Sequence, residues 1–232
     1  MYLCIIPARA GSKRIKNKNI KKFLGFPIIK YSIEAAKNSK LFKKVIVSTN
    51  SMKIKKIALQ YGASVPFLRS KNISDDFTPL KKVLISTLKK IDNLPKYFCL
   101  VYATAPLIDK KDLQKSLSIL KKNTIYAESI LSVSKYSKPI QRALKKNKKN
   151  YLDFINKKYS SKRSQDLEDT YFDAALFCWF NTERYLKKKG QNLKTLPYLI
   201  QDSKTHDIDE KKDWKIVKKK FLNLRKNNQR NF

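Results

Sequence analysis

Apolar and polar positions fall into two rhythms along this chain, and their alternation predicts its architecture. Runs of about five apolar residues read as buried strands; longer stretches with an apolar residue every third or fourth position read as helices packed by one face. Strands are predicted at residues 2–6, 43–50, 64–68, 98–102, 126–133, 171–180 and 197–200, and helices at 27–36, 52–61, 79–91, 110–121, 181–189 and 212–224. The punctuation agrees. Gly62 and Gly190 stop two of the helices and Asp109 caps another. Thr78 or Asp76 suits the start of the helix at 79, and Pro27 suits the first position of the first helix. Gly25 is one of only four glycines, so it is expected where φ is positive or where a side chain would clash.

Strands alternating with helices imply an α/β protein of three layers, with right-handed crossovers and a mostly parallel sheet. Ligands of such sheets sit beyond the carboxyl ends of the strands. Arg9, Asn50 and Arg69 each follow a predicted strand, so they should converge on one cleft. Residues 136–159 break the alternation with Lys- and Asn-rich sequence, the pattern of an inserted hairpin or protruding arm. Residues 1–224 read as a single domain carrying that insert, with 225–232 as a frayed tail.

Composition narrows the function. The 42% hydrophobic and 11% aromatic content argues against disorder. No apolar stretch approaches the roughly 20 residues of a membrane span, and the N-terminus enters a strand without a secretory signal, so a cytoplasmic location is expected. Cys4, Cys99 and Cys178 are widely spaced, with Cys4 and Cys99 in apolar runs, and read as reduced core thiols. The net charge of +35 will attract polyanions. However, 45 of the 53 basic residues are Lys, spread along a chain that also holds 22 Ile and 16 Asn. That is a compositional bias acting on every surface position. No zinc finger, RNP-like pair or helix-turn-helix pattern is present, so no specific nucleic-acid partner is expected.

The first strand runs into Pro7-Ala8-Arg9-Ala10-Gly11-Ser12-Lys13-Arg14, followed by Lys18-Asn19. Backbone N–H groups around Gly11 could cradle phosphate oxygens, with Arg9, Arg14 and Lys18 neutralising them. The spacing matches neither glycine fingerprint of nucleotide-binding loops, and a basic surface turn remains the alternative. Near the other end, Asp207-Ile208-Asp209 puts two carboxylates on one side of an extended segment, as Mg²⁺ requires when it bridges to phosphates. Helix capping by Asp209 explains the same residues equally well.

The segment from Ile6 to Ile15 with Lys18-Asn19-Ile20 resembles the opening signature of the acylneuraminate cytidylyltransferases, and Asp207-Ile208-Asp209 with Asp213-Trp214 resembles their closing motif. The likeness spans almost the whole chain. It implies a Rossmann-like nucleotidyltransferase fold whose insert is a dimerisation arm, hence a homodimer. The implied substrates are CTP and a nonulosonic acid, with Mg²⁺ as cofactor on Asp207 and Asp209. It implies nucleotide contacts from Ala8, Arg9, Ala10, Gly11, Ser12, Lys13, Lys18, Asn19, Arg69, Thr78 and Ala103. Arg9, Lys18, Asp207 and Asp209 would be the catalytic set.

Thr104, Gln141, Arg142, Arg163, Gln165 and Asp173 fall on the expected sugar side. Phe67-Leu68-Arg69, Ser74-Asp75-Asp76-Phe77-Thr78 and Tyr102-Ala103-Thr104-Ala105-Pro106 look most like the branch that acts on pseudaminic acid. Six positions depart from the family or branch pattern. Ala10 replaces the first of two glycines, Asn50 an aspartate, Pro79-Leu80 a Gly-Thr pair, Phe172 a histidine and Ala175 a glycine.

Overall fold

The computed structural model of the chain describes residues 1–230. A six-stranded sheet forms from β1 (Tyr2–Pro7), β4 (Phe42–Ser48), β5 (Tyr97–Val101), β6 (Ser129–Lys135), β9 (Tyr171–Asn181) and β10 (Thr195–Leu199). Its order is β10-β6-β9-β5-β1-β4. β1 lies parallel to β4 and β5, and β10 parallel to β6, whereas β9 runs antiparallel to both its neighbours. The sheet is thus mostly parallel, as expected, with one reversed strand.

Side-chain alternation in the strands makes the layers. Cys4 and Ile6 of β1, Val45 and Val47 of β4, and Cys99 and Val101 of β5 point to one face. There they meet α1 (Ile29–Asn38), α2 (Met52–Gln60) and α4 (Lys110–Lys122) through Ile33, Ala58 and Leu117. Leu3, Ile5, Ile46, Phe98 and Leu100 point to the other face, against Leu84 and Leu88 of α3 (Leu80–Leu88) and Tyr185 of α5 (Thr182–Lys187). All three cysteines are free and buried, as read from the sequence.

A third apolar cluster lies outside the sheet and positions the site. It joins Ile15 of the first loop, Phe23 of a small hairpin, Ile208 of the acidic segment, and Val217 and Phe221 of α6 (Lys211–Arg230). The hairpin, β2 (Lys22–Phe23) and β3 (Phe26–Pro27), turns through Leu24 and Gly25, both at positive φ. Two consecutive positive φ values match the type I′ turn that two-residue hairpins favour. Gly25 therefore has the positive φ expected of it. Pro27 ends β3 and α1 begins two residues later, so Pro27 is not a first helical residue.

Three other local expectations change. Residues 64–68 form only two isolated bridges, Ile46 with Ser64 and Thr49 with Leu68. Pro66 lies between them and has no N–H to continue a ladder. Neither Thr78 nor Asp76 caps α3; Pro79 is its N-cap residue and no side chain caps it. α6 continues to Arg230, where a frayed tail was expected, and residues 231–232 lie outside the described residues. The insert does form a hairpin, β7 (Leu144–Lys146) with β8 (Leu152–Phe154). Among the described residues no helix is long and apolar enough to cross a membrane.

Candidate active site

The chain passes from β1 to β4 on one side and then returns to β5 on the other, which opens a crevice beyond the carboxyl ends of these strands. A cleft of about 560 Å³ occupies it. Arg9, Ser12, Lys13, Lys18 and Asn19 line one wall, Arg69, Asp76, Phe77 and Thr78 the second, and Tyr102, Ala103 and Thr104 the floor.

The first loop is irregular, yet its backbone is clamped. The C=O of Arg9 accepts from Asn19 Nδ2 at 2.9 Å, and the N–H of Ala10 donates to Asn50 Oδ1 at 2.9 Å. These groups are two edges of one peptide plane. Asn50 therefore acts on the loop through an acceptor oxygen, which an aspartate at this place would equally supply. Gly11 has φ of +87°, a conformation that suits glycine, whereas Ala10 is not among the residues at positive φ. Only the second position of the usual glycine pair carries that demand. Ala8 is fully buried and gives its N–H to Ser48 O, so it is a core residue with no donor to spare for a phosphate. Ala8, Ala10 and Gly11 are not among the residues lining the cleft.

Arg69 is the most telling side chain in the cleft. It is 7% exposed, and its Nε and one terminal nitrogen find no hydrogen-bond partner. Burial, with Arg9 nearby, pushes its pKa down to about 10. A buried guanidinium with unused donors, facing a cleft, is costly unless a ligand satisfies it. Its backbone N–H is held separately by Thr49 O at 2.8 Å.

The acidic segment lies beside the cleft, and neither Asp207 nor Asp209 is among the residues that line it. Ile208 is fully buried in the third cluster, so the flanking Asp207 and Asp209 project outward. Asp209 Oδ1 pairs with Arg14 at 2.7 Å and Lys18 at 3.5 Å, and Lys18 also donates to Ile208 O at 2.5 Å. The loop and the acidic segment are thereby joined. Capping is done by another residue. Asp213, in the first turn of α6, accepts the N–H groups of Asp209 and Glu210 at 2.9 and 2.7 Å and meets His206 Nε2 at 3.1 Å. Desolvation opposes its ionisation, but these hydrogen bonds win and hold the Asp213 carboxyl below its ordinary value. Asp209 itself accepts no backbone N–H through its carboxylate among the described residues and pairs with Arg14 and Lys18 instead, so it is not the cap of α6.

Asp207 forms no ion pair or hydrogen bond through its side chain among the described residues. Its charge is felt at Asp173, whose pKa is raised by desolvation and, more weakly, by Asp207. The Tyr102 hydroxyl donates to Asp173 Oδ2 at 3.3 Å, so Asp173 is next to a cleft residue though it does not line the cleft itself. The remaining sugar-side residues gather elsewhere. Gln141 donates to Glu168 O, Arg142 reaches Ser164, and Arg163 forks onto Asp166 at 2.7 and 3.1 Å, while Gln165 sits exposed beside them. None of these four lines the cleft.

Asp76 and Phe77 are among the cleft residues that the sequence reading did not assign to the site. Asp76 pairs with Arg9, and with Lys13 at 2.8 Å; Phe77, beside it, is 89% exposed. A long-range ion pair leaves no local pattern, so Asp76 could be read only as a cap.

Residues 3–224 match the family model described as "Cytidylyltransferase". The chain is 40% identical over 189 residues to a pseudaminic acid cytidylyltransferase of Campylobacter jejuni, covering 80% of this chain and 81% of that protein. It is 31% identical over 229 residues to a CMP-N,N'-diacetyllegionaminic acid synthase of Legionella pneumophila, covering 94% of each. In fold it is similar to a CMP:2-keto-3-deoxy-manno-octonic acid synthetase solved with CTP, with a TM-score of 0.67 at 14% identity over 94% of this chain and 98% of that one. The chain belongs to the cytidylyltransferase family and is a CTP-dependent nucleotidyltransferase.

Proposed function

We propose that this enzyme transfers CMP from CTP to the anomeric hydroxyl of a nonulosonic acid, pseudaminic acid foremost, and releases pyrophosphate. One observation carries the reading: a cationic loop and a buried guanidinium with unused donors line a single cleft, and two of its lining cations, Arg14 and Lys18, hold Asp209 beside it. The sequence likeness to pseudaminic, legionaminic and N-acylneuraminic acid enzymes supports the acceptor class.

The anomeric oxygen attacks the α-phosphorus and forms the new P–O bond. The bond from the α-phosphorus to the bridging oxygen breaks, pyrophosphate leaves with that electron pair, and the hydroxyl proton passes to solvent. Arg9, Ser12, Lys13 and Lys18 hold the β- and γ-phosphates and take up the charge that grows on the leaving group. Arg69 and Asn19, with Thr78 and the small Ala103, meet the cytidine. Thr104 and Asp173 face the sugar. Gln141, Arg142, Arg163 and Gln165 offer donors to its carboxylate from a neighbouring surface, a task suited to the arginine fork.

Asp207 and Asp209 suit Mg²⁺. They are oxygen donors on one side of the segment, and both cations on Asp209 engage Oδ1, leaving Oδ2 free of protein partners among the described residues. No cluster of three or more potential protein ligands exists among those residues, which fits an ion held by two carboxylates, water and substrate phosphate. Bound there, the ion would supply Lewis-acid neutralisation of the phosphate oxygens.

A homodimer is part of the proposal. The insert hairpin exposes Leu144, Tyr151, Leu152 and Ile155, a set of large apolar side chains that a second copy would cover. Three free buried thiols support a cytoplasmic setting.

The test is pyrophosphate release from CTP and Mg²⁺ with pseudaminic, legionaminic and N-acetylneuraminic acids offered in parallel. Release with pseudaminic acid, lost in Asp209→Ala, is expected. Release with another acid alone would move the sugar assignment, and silence with all three in a protein that binds CTP would remove the reaction.

A further inference from the structure

We propose that Asp76 is an internal counter-anion that competes with the β- and γ-phosphates of CTP, and with pyrophosphate, for Arg9 and Lys13. This rests on the phosphate role proposed for Arg9 and Lys13. The Asp76 carboxylate divides its oxygens between the two cations, Oδ1 on Arg9 and Oδ2 on Lys13 at 2.8 Å. Two oxygens of one anion bridging two cations is the arrangement a phosphate group would itself adopt there. The acid comes from the opposite wall of the cleft, and its side chain is only 25% exposed.

The loop that carries it is shaped to hold this position without help from the cations. Asp75 Oδ1 accepts the N–H groups of Phe77 at 2.8 Å and Thr78 at 2.6 Å, and Ser74 closes onto Ser70 O at 2.7 Å. Arg69, behind this pair, stays without a partner on two nitrogens, so Asp76 covers the front of the cationic cluster and leaves its base free.

Two consequences follow from competition for the same two cations. Every ligand that needs Arg9 and Lys13 must displace Asp76, so CTP and pyrophosphate bind more weakly than the cations alone would allow. CMP carries only the α-phosphate and escapes that cost. On the product side, the returning carboxylate replaces pyrophosphate on both cations and so helps it leave. A plain structural role for Asp76, stapling the loop at 70–79, makes the opposite prediction: losing the staple would loosen the wall and weaken nucleotide binding.

Calorimetric titration of inorganic pyrophosphate, CTP and CMP into the full-length protein and Asp76→Asn, at one ionic strength, separates these roles. Pyrophosphate and CTP are expected to bind about threefold to tenfold more tightly to the variant, the range for two partly exposed ion pairs. CMP should be unchanged, and pyrophosphate should become a stronger inhibitor of turnover. Asp76→Glu, which keeps the carboxylate, should stay near the parent protein. Unchanged or weaker pyrophosphate binding in Asp76→Asn overturns the competition while leaving the reaction intact. An equal gain for CMP also overturns it, since that is a long-range field effect. Pyrophosphate binding to neither protein removes the phosphate role of Arg9 and Lys13, and the competition with it.

Discussion

The residues proposed to hold the nucleotide line the cleft from loops that leave the sheet at β1, β4 and β5, the first of them pinned by the third apolar cluster, whereas most of those proposed for the sugar lie on segments beyond the sheet and outside the cleft lining. On the first side the pairs run between distant parts of the chain: Arg9 with Asp76, Arg14 with Asp209, Ala10 with Asn50. On the second the pairs are exposed, whether local, as in Arg163 with Asp166, or between segments, as in Gln141 with Glu168 and Arg142 with Ser164, and the neighbouring hairpin shows its apolar side chains to solvent. In the proposed function a rigid scaffold places the donors for the triphosphate. The group that differs from enzyme to enzyme is left to exposed segments that can change without disturbing the core.

If the two sides divide the work in this way, substitutions should sort by side and by depth. The largest effect belongs to Asp209→Ala, which removes the partner of both Arg14 and Lys18 along with a proposed metal oxygen; kcat should fall on the order of a thousandfold, measured by pyrophosphate release in protein whose circular dichroism is unchanged. Arg69→Leu comes next. CTP affinity should drop roughly tenfold to a hundredfold, the worth of lost charge-assisted hydrogen bonds. Tm should hold or rise, because a buried cation without partners is gone. A falling Tm would show that Arg69 is a structural residue.

On the sugar side, Arg163→Ala should raise the KM for the acid about tenfold while the KM for CTP stays put. Asn50→Ala leaves the Ala10 N–H without its acceptor and should raise the KM for CTP by about fivefold, with Asn50→Asp restoring it. The smallest effect is one of stability. Ala175 sits at φ of +52°, beside the register shift where β9 pairs with β6. Ala175→Gly relieves that strain at the cost of chain entropy and should stabilise by about 0.5–1 kcal/mol in a urea melt.

The same division explains what the sequence could reveal. Strands such as residues 2–6 and 98–102 were legible because burial on both faces writes an unbroken apolar run. The basic loop after β1 and the acidic pair stand out in the sequence because charge is concentrated at a strand exit and in a chain poor in acids. Ala175 stands where the resemblance leads one to expect glycine, and its positive φ is a conformation that favours glycine. Residues whose role depends on distant partners were not legible. Asp76 reads as a cap until Arg9 is seen beside it, and Asp209 reads as a cap until Arg14 and Lys18 are seen on its carboxylate. The reversed direction of β9 also depends on where the preceding insert returns the chain, which no local period records.

Side-by-side titration of CTP into Arg69→Ala and Arg163→Ala tests the division most directly. The structure predicts a large loss of CTP affinity in the first and an affinity unchanged within about twofold in the second, since Arg163 touches only its own loop. Equal losses in the two variants would show that the two sides form one coupled site, and would contradict a division of labour between them.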